Sequence, residues 1–281
     1  MKHIQEYLST DLGTEGQLLI PRKIYDSLIE AVDKDLIPRS EASLFFGSGD
    51  IPGSSIDIDL VTPNTMDVRE VPEGAEVALD QVTYTSTNIR PKKYGVAIRI
   101  TREMLEDAKW NLLDHNIRSA GKRFADNENS LVISDALDSA GNTVTGGAAI
   151  TIANITRAMQ YLEDADHDPT TLFVGMEVLN DLRNIDTFVE ANKVGNTDML
   201  ARGFLGTIYG LNVIRVSTNA GMTTTTAYVS DRREAYFIAK KRGVTVEDFR
   251  LPTFDMEGAV CTQRIAVKVR RSDAIAKITT S

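Results

Sequence analysis

The feature that most constrains the fold is a strand-like pattern that extends far along the chain with no apolar partner beside it in the sequence. Apolar residues alternate with aspartates over residues 56–60, and Val82 and Tyr84 alternate with threonines. A period of two is typical of half-buried strands. Between the two runs lies an acidic stretch that contains two prolines. We therefore predict an extended β-excursion over residues 55–98 with a charged tip.

The returning half of this excursion carries an apolar stripe that needs a cover. Every second residue from Tyr94 to Ile100 is apolar, and basic or small residues stand between them. A two-stranded ribbon is at best marginally stable by itself in water. Because no neighbouring helix in the sequence is assigned to this stripe, we expect it to be buried against another surface.

Helical patterns stand on both sides of the excursion. Residues 21–38 begin and end with proline and repeat apolar residues at helical spacing, which predicts a first helix after an arm formed by residues 1–20. Thr101 is a candidate cap of a short helix, and a longer helix is predicted from Asn111 to about Leu137. A helix of that length would extend for about 39 Å, so it would serve as a spine.

From Ile150 onwards, short helical and strand patterns alternate, which is typical of a compact α/β lobe. The glycine-rich residues 141–147 separate this lobe from the long helix, and residues 186–206 predict a loop. Strands are predicted over the ranges 172–174, 211–216, 227–229, 235–239, 244–247, 260–269 and 275–278.

The composition is that of an ordinary globular protein, with 42% hydrophobic and 25% charged residues. No apolar run approaches the ~20 residues of a membrane span, and the first residues lack the apolar segment of a signal peptide. We therefore expect a soluble, non-secreted protein without membrane contact. The single cysteine, Cys261, excludes an internal disulfide framework, and its alternating surroundings predict core packing.

The charge balance restricts the partners. A net charge of −9 argues against a surface that seeks nucleic acid, because such domains usually carry a basic face. Two basic clusters, residues 90–93 and 240–242, are interpreted as solvated turns. For the first cluster, contact with the acidic surface of a partner is the functional alternative.

The residues do not indicate a catalytic or metal site. His3, His115 and His167 stand at no metal-ligand spacing from one another, so solvated or hydrogen-bonded side chains are expected. The acidic run 164–168 begins like a calcium loop, but the glycine and the glutamate that such a loop requires are missing. We predict no catalytic, cofactor-binding or metal-ligating residue and no cofactor.

The run from residue 100 to residue 134 carries a resemblance to a known family. Ile100, Leu105 and Asp107 precede the long helix, and residues 124–128 read Phe-Ala-Asp-Asn-Glu within it. In this pattern the chain resembles the major capsid proteins of tailed phages and related viruses, which share the Hong Kong 97-like fold. Three further segments agree in order with the family's arm and first helix, a late axial-domain strand and the closing peripheral strands: EGQLLIPRKIYDSLIE, LGTIYGLNVIRVS and AVCTQRIAVKVRRSDAIAKI.

The resemblance implies an α+β protein with the Hong Kong 97-like capsid fold and four regions. These regions are an N-terminal arm with the first helix, an extended β-hairpin loop, a peripheral domain with the long spine helix, and an axial α/β domain. Their expected ranges are 1–50 for the arm and first helix, 51–98 for the loop, 99–145 with 236–281 for the peripheral domain, and 146–235 for the axial domain.

The resemblance also implies a structural function and no enzymatic one. A major capsid protein self-assembles through hexamers and pentamers into an icosahedral shell that encloses a viral double-stranded DNA genome. The expected location is the virion, after assembly in the host cytoplasm. Packaged DNA would be enclosed without specific binding, and separate scaffold, portal or decoration proteins are further expected partners.

In this family the extended loop lies across a neighbouring subunit, so the apolar stripe would be buried between chains. Charged residues of the loop are then candidates for inter-subunit salt bridges that set register. They are Glu70, Glu73, Glu76, Arg90, Lys92 and Lys93. Some members form a lysine–asparagine isopeptide bond with a catalytic glutamate, but no residue here matches those roles.

Two rival interpretations stay open. Encapsulin-type bacterial compartments use the same fold to house enzymes, although nothing in residues 1–17 matches the N-terminal cargo helix expected there. A soluble enzyme or small-ligand binder would be a monomer or a small oligomer, whereas a closed shell would be far larger.

Overall fold

The computed structural model describes residues 37–280, apart from 62–67, 81–83, 105–111, 186–205 and the single positions 38, 48, 52, 75, 78 and 102. The arm expected over 1–20 lies outside the described residues, and so does the first helix expected over 21–38 apart from residue 37. So do Leu105, Asp107, the candidate cap Asn111 and nearly all of the loop expected at 186–206. The strands are β1 (Leu44–Phe46), β2 (Ile56–Val61), β3 (Tyr84–Ile89), β4 (Lys92–Thr101), β5 (Asn142–Thr145), β6 (Thr171–Val174), β7 (Thr207–Ile208), β8 (Leu211–Arg215), β9 (Thr226–Ser230), β10 (Tyr236–Leu251), β11 (Met256–Val269) and β12 (Ile275–Thr279). The helices are α1 (Leu112–Asp135), α2 (Ile152–Glu163) and α3 (Met176–Asn184).

A four-stranded sheet in the order β1-β10-β11-β4 forms one half of the fold. Strands β10 and β11 form a long antiparallel hairpin whose tip is the 3-10 turn Pro252–Phe254. Strand β4 continues this antiparallel arrangement beside β11, and β1 pairs in parallel with the other edge of β10. The two long central strands are therefore supplied by sequence far from the edge strands that flank them.

Helix α1 packs on one face of this sheet. Ile117 and Phe124 on its apolar stripe contact a cluster formed with Val244 and Cys261. Cys261 is fully buried, so the prediction of core packing is confirmed. Between β4 and α1, the backbone N–H of Met104 donates to Oγ1 of Thr101 at 3.3 Å. This is the capping contact expected of that threonine.

The same helix covers part of the apolar stripe on the returning strand. Val96 and Ile98 of β4 pack against the cluster on α1, and Ile100 is buried. The prediction that no helix of the chain covers this stripe is therefore wrong. The sequence pattern does not reveal this contact, because β4 reaches the helix only by pairing with β11, which lies far later in the sequence.

A six-stranded sheet in the order β5-β12-β9-β6-β8-β7 forms the other half. Both faces of this sheet are covered. Leu172 and Val174 of β6 face the cluster of α2 and α3, whereas Phe173 faces the opposite side. On that side Phe173 joins Val132 of α1 and Tyr236 of β10 in one cluster. The C-terminal half of α1 thus connects the cores of the two sheets.

One assignment from the sequence changes. Residues 240–242, interpreted as a turn, lie inside the continuous strand β10, where the pairing register with β11 shifts on either side of Arg242. A β-bulge of this kind breaks the alternation that a strand prediction relies on. Strands β5 and β12, which fall within the ranges expected for the peripheral domain, belong to the six-stranded sheet.

The ribbon of β2 and β3 packs on the face of the four-stranded sheet opposite α1. Its residues Ile56, Ile58 and Leu60 lie against a buried cluster that includes Phe237 and Ala239. The base of the excursion is therefore covered by its own chain, and the expectation that the whole ribbon depends on a second copy is wrong. The segment beyond the ribbon, residues 68–80 with two gaps, contains no strand among its described residues.

The segment that precedes β1 is fixed to α1 by polar contacts. Arg39 Nε lies 2.8 Å from Oε1 of Glu128, and an Nη of the same guanidinium donates to Oε2 at 3.2 Å. Gln263 donates to Oε2 of Glu128 at 3.1 Å, and the backbone N–H of Ile37 donates to Asn129 Oδ1 at 2.9 Å. These contacts position this segment at the edge where β1 joins β10.

A second polar cluster crosses the six-stranded sheet. Tyr228 donates its hydroxyl to Asp138 Oδ1 at 2.6 Å, and Lys277 Nζ donates to the same oxygen at 2.8 Å. Partial burial acts to raise the pKa of Asp138, but the hydrogen bonds from Lys277 and Tyr228 outweigh it and the pKa is lowered. Burial, followed by the contact with Asp138, raises the pKa of Tyr228.

We expect Asp138→Asn to lower the free energy of unfolding at pH 7 by up to about 1 kcal/mol, because the carboxylate is 45% exposed and solvent screens the pair. A carboxylate whose pKa is lowered on folding stabilises the protein above its unfolded pKa, about 3.9, and loses that effect as the pH falls through the folded value. Urea denaturation at several pH values checks this: the difference from wild type should be present at pH 7 and narrow below about pH 4. A difference that grows towards acid would contradict the assignment.

Candidate assembly interface

The described residues of the segment 68–80, here called the acidic loop, expose both charged and apolar side chains. Glu70, Glu73 and Glu76 are exposed. Leu79 is 96% exposed and Val77 is 65% exposed. A single chain therefore leaves large apolar side chains in water at the end of its ribbon, and these are the residues expected to be covered in an assembly.

The basic candidates lie at the other end of the ribbon. Arg90 is exposed just after β3, whereas Lys92 and Lys93 are exposed at the start of β4. Within the described residues, none of these three cations forms an ion pair with Glu70, Glu73 or Glu76 of the same chain. The structure therefore does not bring the acidic and basic candidates together in one chain, and their roles in contacts between subunits stay a prediction.

The sequence did not point to two further cations beside Lys93. Strand pairing places Lys93 opposite Arg264 of β11, and Arg264 opposite Arg242 of β10. The sequence pattern predicts only a strand around Arg264 and a turn around Arg242. No local signal could have identified this row of three, because it exists only once the register of three distant strands is known.

Two other exposed apolar positions lie on the tip of the β10–β11 hairpin. Phe254 is 67% exposed, and Leu251 is exposed beside it. Met104 is also exposed, close to the point where Thr101 pairs with Met256 at the same end of the sheet. The tip thus presents a second exposed apolar surface.

The histidines and the acidic run 164–168 form no metal site in the described part of the chain, where no group of three or more His, Cys, Asp or Glu side chains is placed to bind a metal ion. His115 is exposed on α1, and His3 lies outside the described residues. His167 is buried, with Nε2 3.4 Å from Asp273 Oδ2 and Nδ1 3.9 Å from Asp231 Oδ2. None of the described helices is long and apolar enough to cross a membrane.

A match over residues 83–278 to the family model described as phage capsid protein identifies the family. The chain belongs to the phage capsid protein family. Among curated proteins, no match to this capsid protein is found.

Several solved structures match the fold of this capsid protein. A protein of Microbacterium phage Oxtober96 is 17% identical, with a TM-score of 0.66, and the match covers 86% of this chain and 91% of that one. The mature capsid of bacteriophage PhiM1 gives 11% identity and a TM-score of 0.66 over 88% and 87% of the two chains. A virus-like particle from Pyrococcus furiosus gives 15% identity and a TM-score of 0.61 over 92% and 98%.

At these identities the structural matches establish the fold. The α+β architecture and the Hong Kong 97-like fold expected from the sequence are therefore confirmed. The family match identifies a capsid shell protein, in agreement with the resemblance of residues 100–134. The division into the four ranges given above stays a prediction.

Proposed function

We propose that this capsid protein is a major capsid protein that self-assembles through hexamers and pentamers into an icosahedral shell around a double-stranded DNA genome. The observation that carries the proposal is the acidic loop, whose apolar side chains Val77 and Leu79 are exposed at the end of a ribbon that is otherwise anchored to the sheet. A protein that remained a monomer would leave this surface in water. Closed symmetry, by contrast, covers such a surface on every copy.

The proposed contacts between subunits combine this apolar surface with charged pairs at its rim. Glu70, Glu73 and Glu76 would face cations of a neighbour, with Arg90, Lys92 and Lys93 as the candidates. Rim pairs of this kind contribute more to register and specificity than to affinity. Each contact is modest, but a subunit that engages several neighbours at once gains from effective concentration.

The proposed partners follow from the charge of the chain. With a net charge of −9, the shell would hold DNA by confinement and counterions and would not bind it specifically. We further propose that assembly takes place in the host cytoplasm and that separate scaffold, portal or decoration proteins take part.

A second candidate function is a protein compartment of the encapsulin type. The observation that favours it is the match to the virus-like particle from Pyrococcus furiosus, which extends over 98% of that chain. The contents of particles purified from the native source distinguish a virion from a compartment. Protection of double-stranded DNA from nuclease supports the virion, whereas a filling of folded protein cargo supports the compartment.

Electron microscopy of the overexpressed full chain tests shell formation, and we expect closed particles. Leu79→Asp should lower the yield of particles at least about tenfold, because a charge would have to be buried at an apolar contact between chains. Leu79→Met keeps the apolar volume and serves as the matched control, with a yield close to that of wild type. A wild-type chain that stays monomeric at high concentration would overturn the proposed function.

A further inference from the structure

We propose that the exposed side of α1 contacts the phosphates of the enclosed nucleic acid without reading its sequence. The inference rests on the proposed function, since it assigns the surface of each subunit that faces the genome, and it adds a direct contact to the confinement described above. The residues concerned are Arg118, Ser119, Lys122 and Arg123, here called the basic face, and all four are exposed.

Burial separates the two sides of α1 by charge as well as by polarity. The apolar stripe that includes Ile117 and Phe124 is buried on the four-stranded sheet. The two carboxylates between residues 115 and 133, Asp126 and Glu128, are buried as well. The side chains that this part of the helix exposes are His115, Arg118, Ser119, Lys122 and Arg123. The exposed side is therefore cationic over this range, which the net charge of −9 for the whole chain does not reveal.

The spacing of the cations along the helix fits the phosphates of one DNA strand. Arg118 and Lys122 project from the same side on successive turns, although like charges four residues apart disfavour a helix. Arg123 is 70% exposed beside them, and Asp126 lies 4.0 Å from it, at the limit of an ion pair. From residue 118 to residue 123 the helix rises about 8 Å. One strand of DNA carries a phosphate every ~3.4 Å along its axis, so the three cations can reach about two or three successive phosphates.

The composition of the basic face suits a nucleic acid better than a protein. The other two helices expose both signs of charge, with Arg157 and Glu163 on α2 and with Glu177 and Arg183 on α3. Protein interfaces have an apolar core, and α1 exposes no apolar side chain between residues 115 and 133. Contacts with DNA are polar and positively charged, and Arg, Lys and Ser side chains such as Ser119 donate to phosphate oxygens.

The position of α1 in the fold separates the basic face from the acidic loop. The helix packs on one face of the four-stranded sheet, and the ribbon that carries the acidic loop packs on the other. Glu70, Glu73 and Glu76 are exposed in that loop and would repel a polyanion. Because a shell presents the same helix on every copy, many weak contacts act together on one DNA molecule.

Binding of a DNA duplex of about 20 base pairs to the unassembled full chain tests the contact, with fluorescence anisotropy as the readout. Leu79→Asp, the variant expected to lower particle formation, supplies unassembled chains and leaves α1 unchanged. The affinity for two duplexes of unrelated sequence is measured from about 50 to about 200 mM salt. In the test variant, Arg118→Gln with Lys122→Gln removes two cations of the basic face and keeps residues that favour a helix.

Three phosphate contacts predict that log affinity falls with log salt with a slope of about −2.7, so the affinity should fall about 40-fold over this range. The test variant should show a slope near about −0.9 and should bind at least about tenfold more weakly at low salt. Arg118→Lys with Lys122→Arg retains both charges and should retain the slope. The two duplexes should bind within about twofold of each other, because phosphate contacts carry no sequence information.

Lys92→Gln with Lys93→Gln is the matched control, because it removes the same charge from two exposed lysines at the start of β4. Its affinity should stay within about twofold of the parent chain. An equal loss of affinity in this control, or a salt slope that the test variant leaves unchanged, would overturn the inference. Poly-glutamate that binds the basic face more tightly than the duplex would assign this face to an acidic protein and would also overturn it.

Particle formation, measured in the absence of Leu79→Asp, separates this inference from the proposed function. Arg118→Gln with Lys122→Gln should give closed particles at nearly the wild-type yield, whereas a large loss would assign the basic face to a contact between subunits and overturn the inference. Closed wild-type particles together with unassembled chains that do not bind the duplex would leave the shell in place and reject the phosphate contact. Duplex binding through the basic face by a wild-type chain that forms no particles would reject the shell and retain the contact.

Discussion

Replacing Phe173 with alanine should lower the free energy of unfolding by about 3–5 kcal/mol. The side chain is fully buried in β6 and lies in the cluster where both sheets meet the C-terminal half of α1. Its removal leaves a cavity in the buried cluster that it shares with Val132 and Tyr236. The loss therefore includes both the transfer of the ring and the unfilled volume.

Urea denaturation of the unassembled chain, followed by circular dichroism, measures this effect. Phe173→Leu is the matched control, since it keeps much of the volume and should cost about 1–1.5 kcal/mol. Equal losses for the two variants would show that the ring does not fill the space between the sheets.

Glu128→Ala should lower the free energy of unfolding by about 3 kcal/mol, near the lower end of the range for breaking a buried ion pair. The carboxylate is 2% exposed and accepts hydrogen bonds from Arg39 and Gln263. Its loss leaves both donors without their acceptor. Arg39 is 28% exposed, so water can solvate part of the guanidinium, which keeps the effect below the upper end of the range.

A double-mutant cycle tests whether this effect comes from the contact with Arg39. If Arg39 and Glu128 are coupled, Arg39→Ala in the Glu128→Ala background should cost at least about 1 kcal/mol less than in wild type. Glu128→Gln retains an acceptor for Gln263 or Arg39 and should be milder than Glu128→Ala. Additive losses from the two alanine variants would show that the segment before β1 is held by the β1–β10 pairing and not by this contact.

The elements that the sequence predicted well are those whose signal is local. The apolar stripe of α1 repeats at helical spacing along its own length, and β2 alternates within six residues. Helix α1 ends at Asp135, close to the expected Leu137. The resemblance of residues 100–134 to capsid proteins also depended on consecutive positions, and the family match confirms it.

The assignments that failed depended on strand pairing over long distances. The cover of Val96 by α1 requires β4 to lie beside β11, and the place of Arg242 within a strand requires a bulge that alternation does not reveal. The same difference between local and long-range signals applies to the residues of the candidate interface. Charged residues of the acidic loop could be named from the sequence, whereas Lys93, Arg264 and Arg242 lie side by side on three strands whose register is fixed only by the tertiary fold.

The pairing order of the strands has a consequence for how the chain is made. Residues 236–279 supply β10 and β11 at the centre of one sheet and β12 between β5 and β9 in the other. A ribosome adds residues at about 5–20 per second, so for about 10–40 s the nascent chain carries the acidic loop without either finished sheet. Half-translated chains therefore lack the two central strands of one sheet and a middle strand of the other, so neither sheet is complete until residues 236–279 have been added.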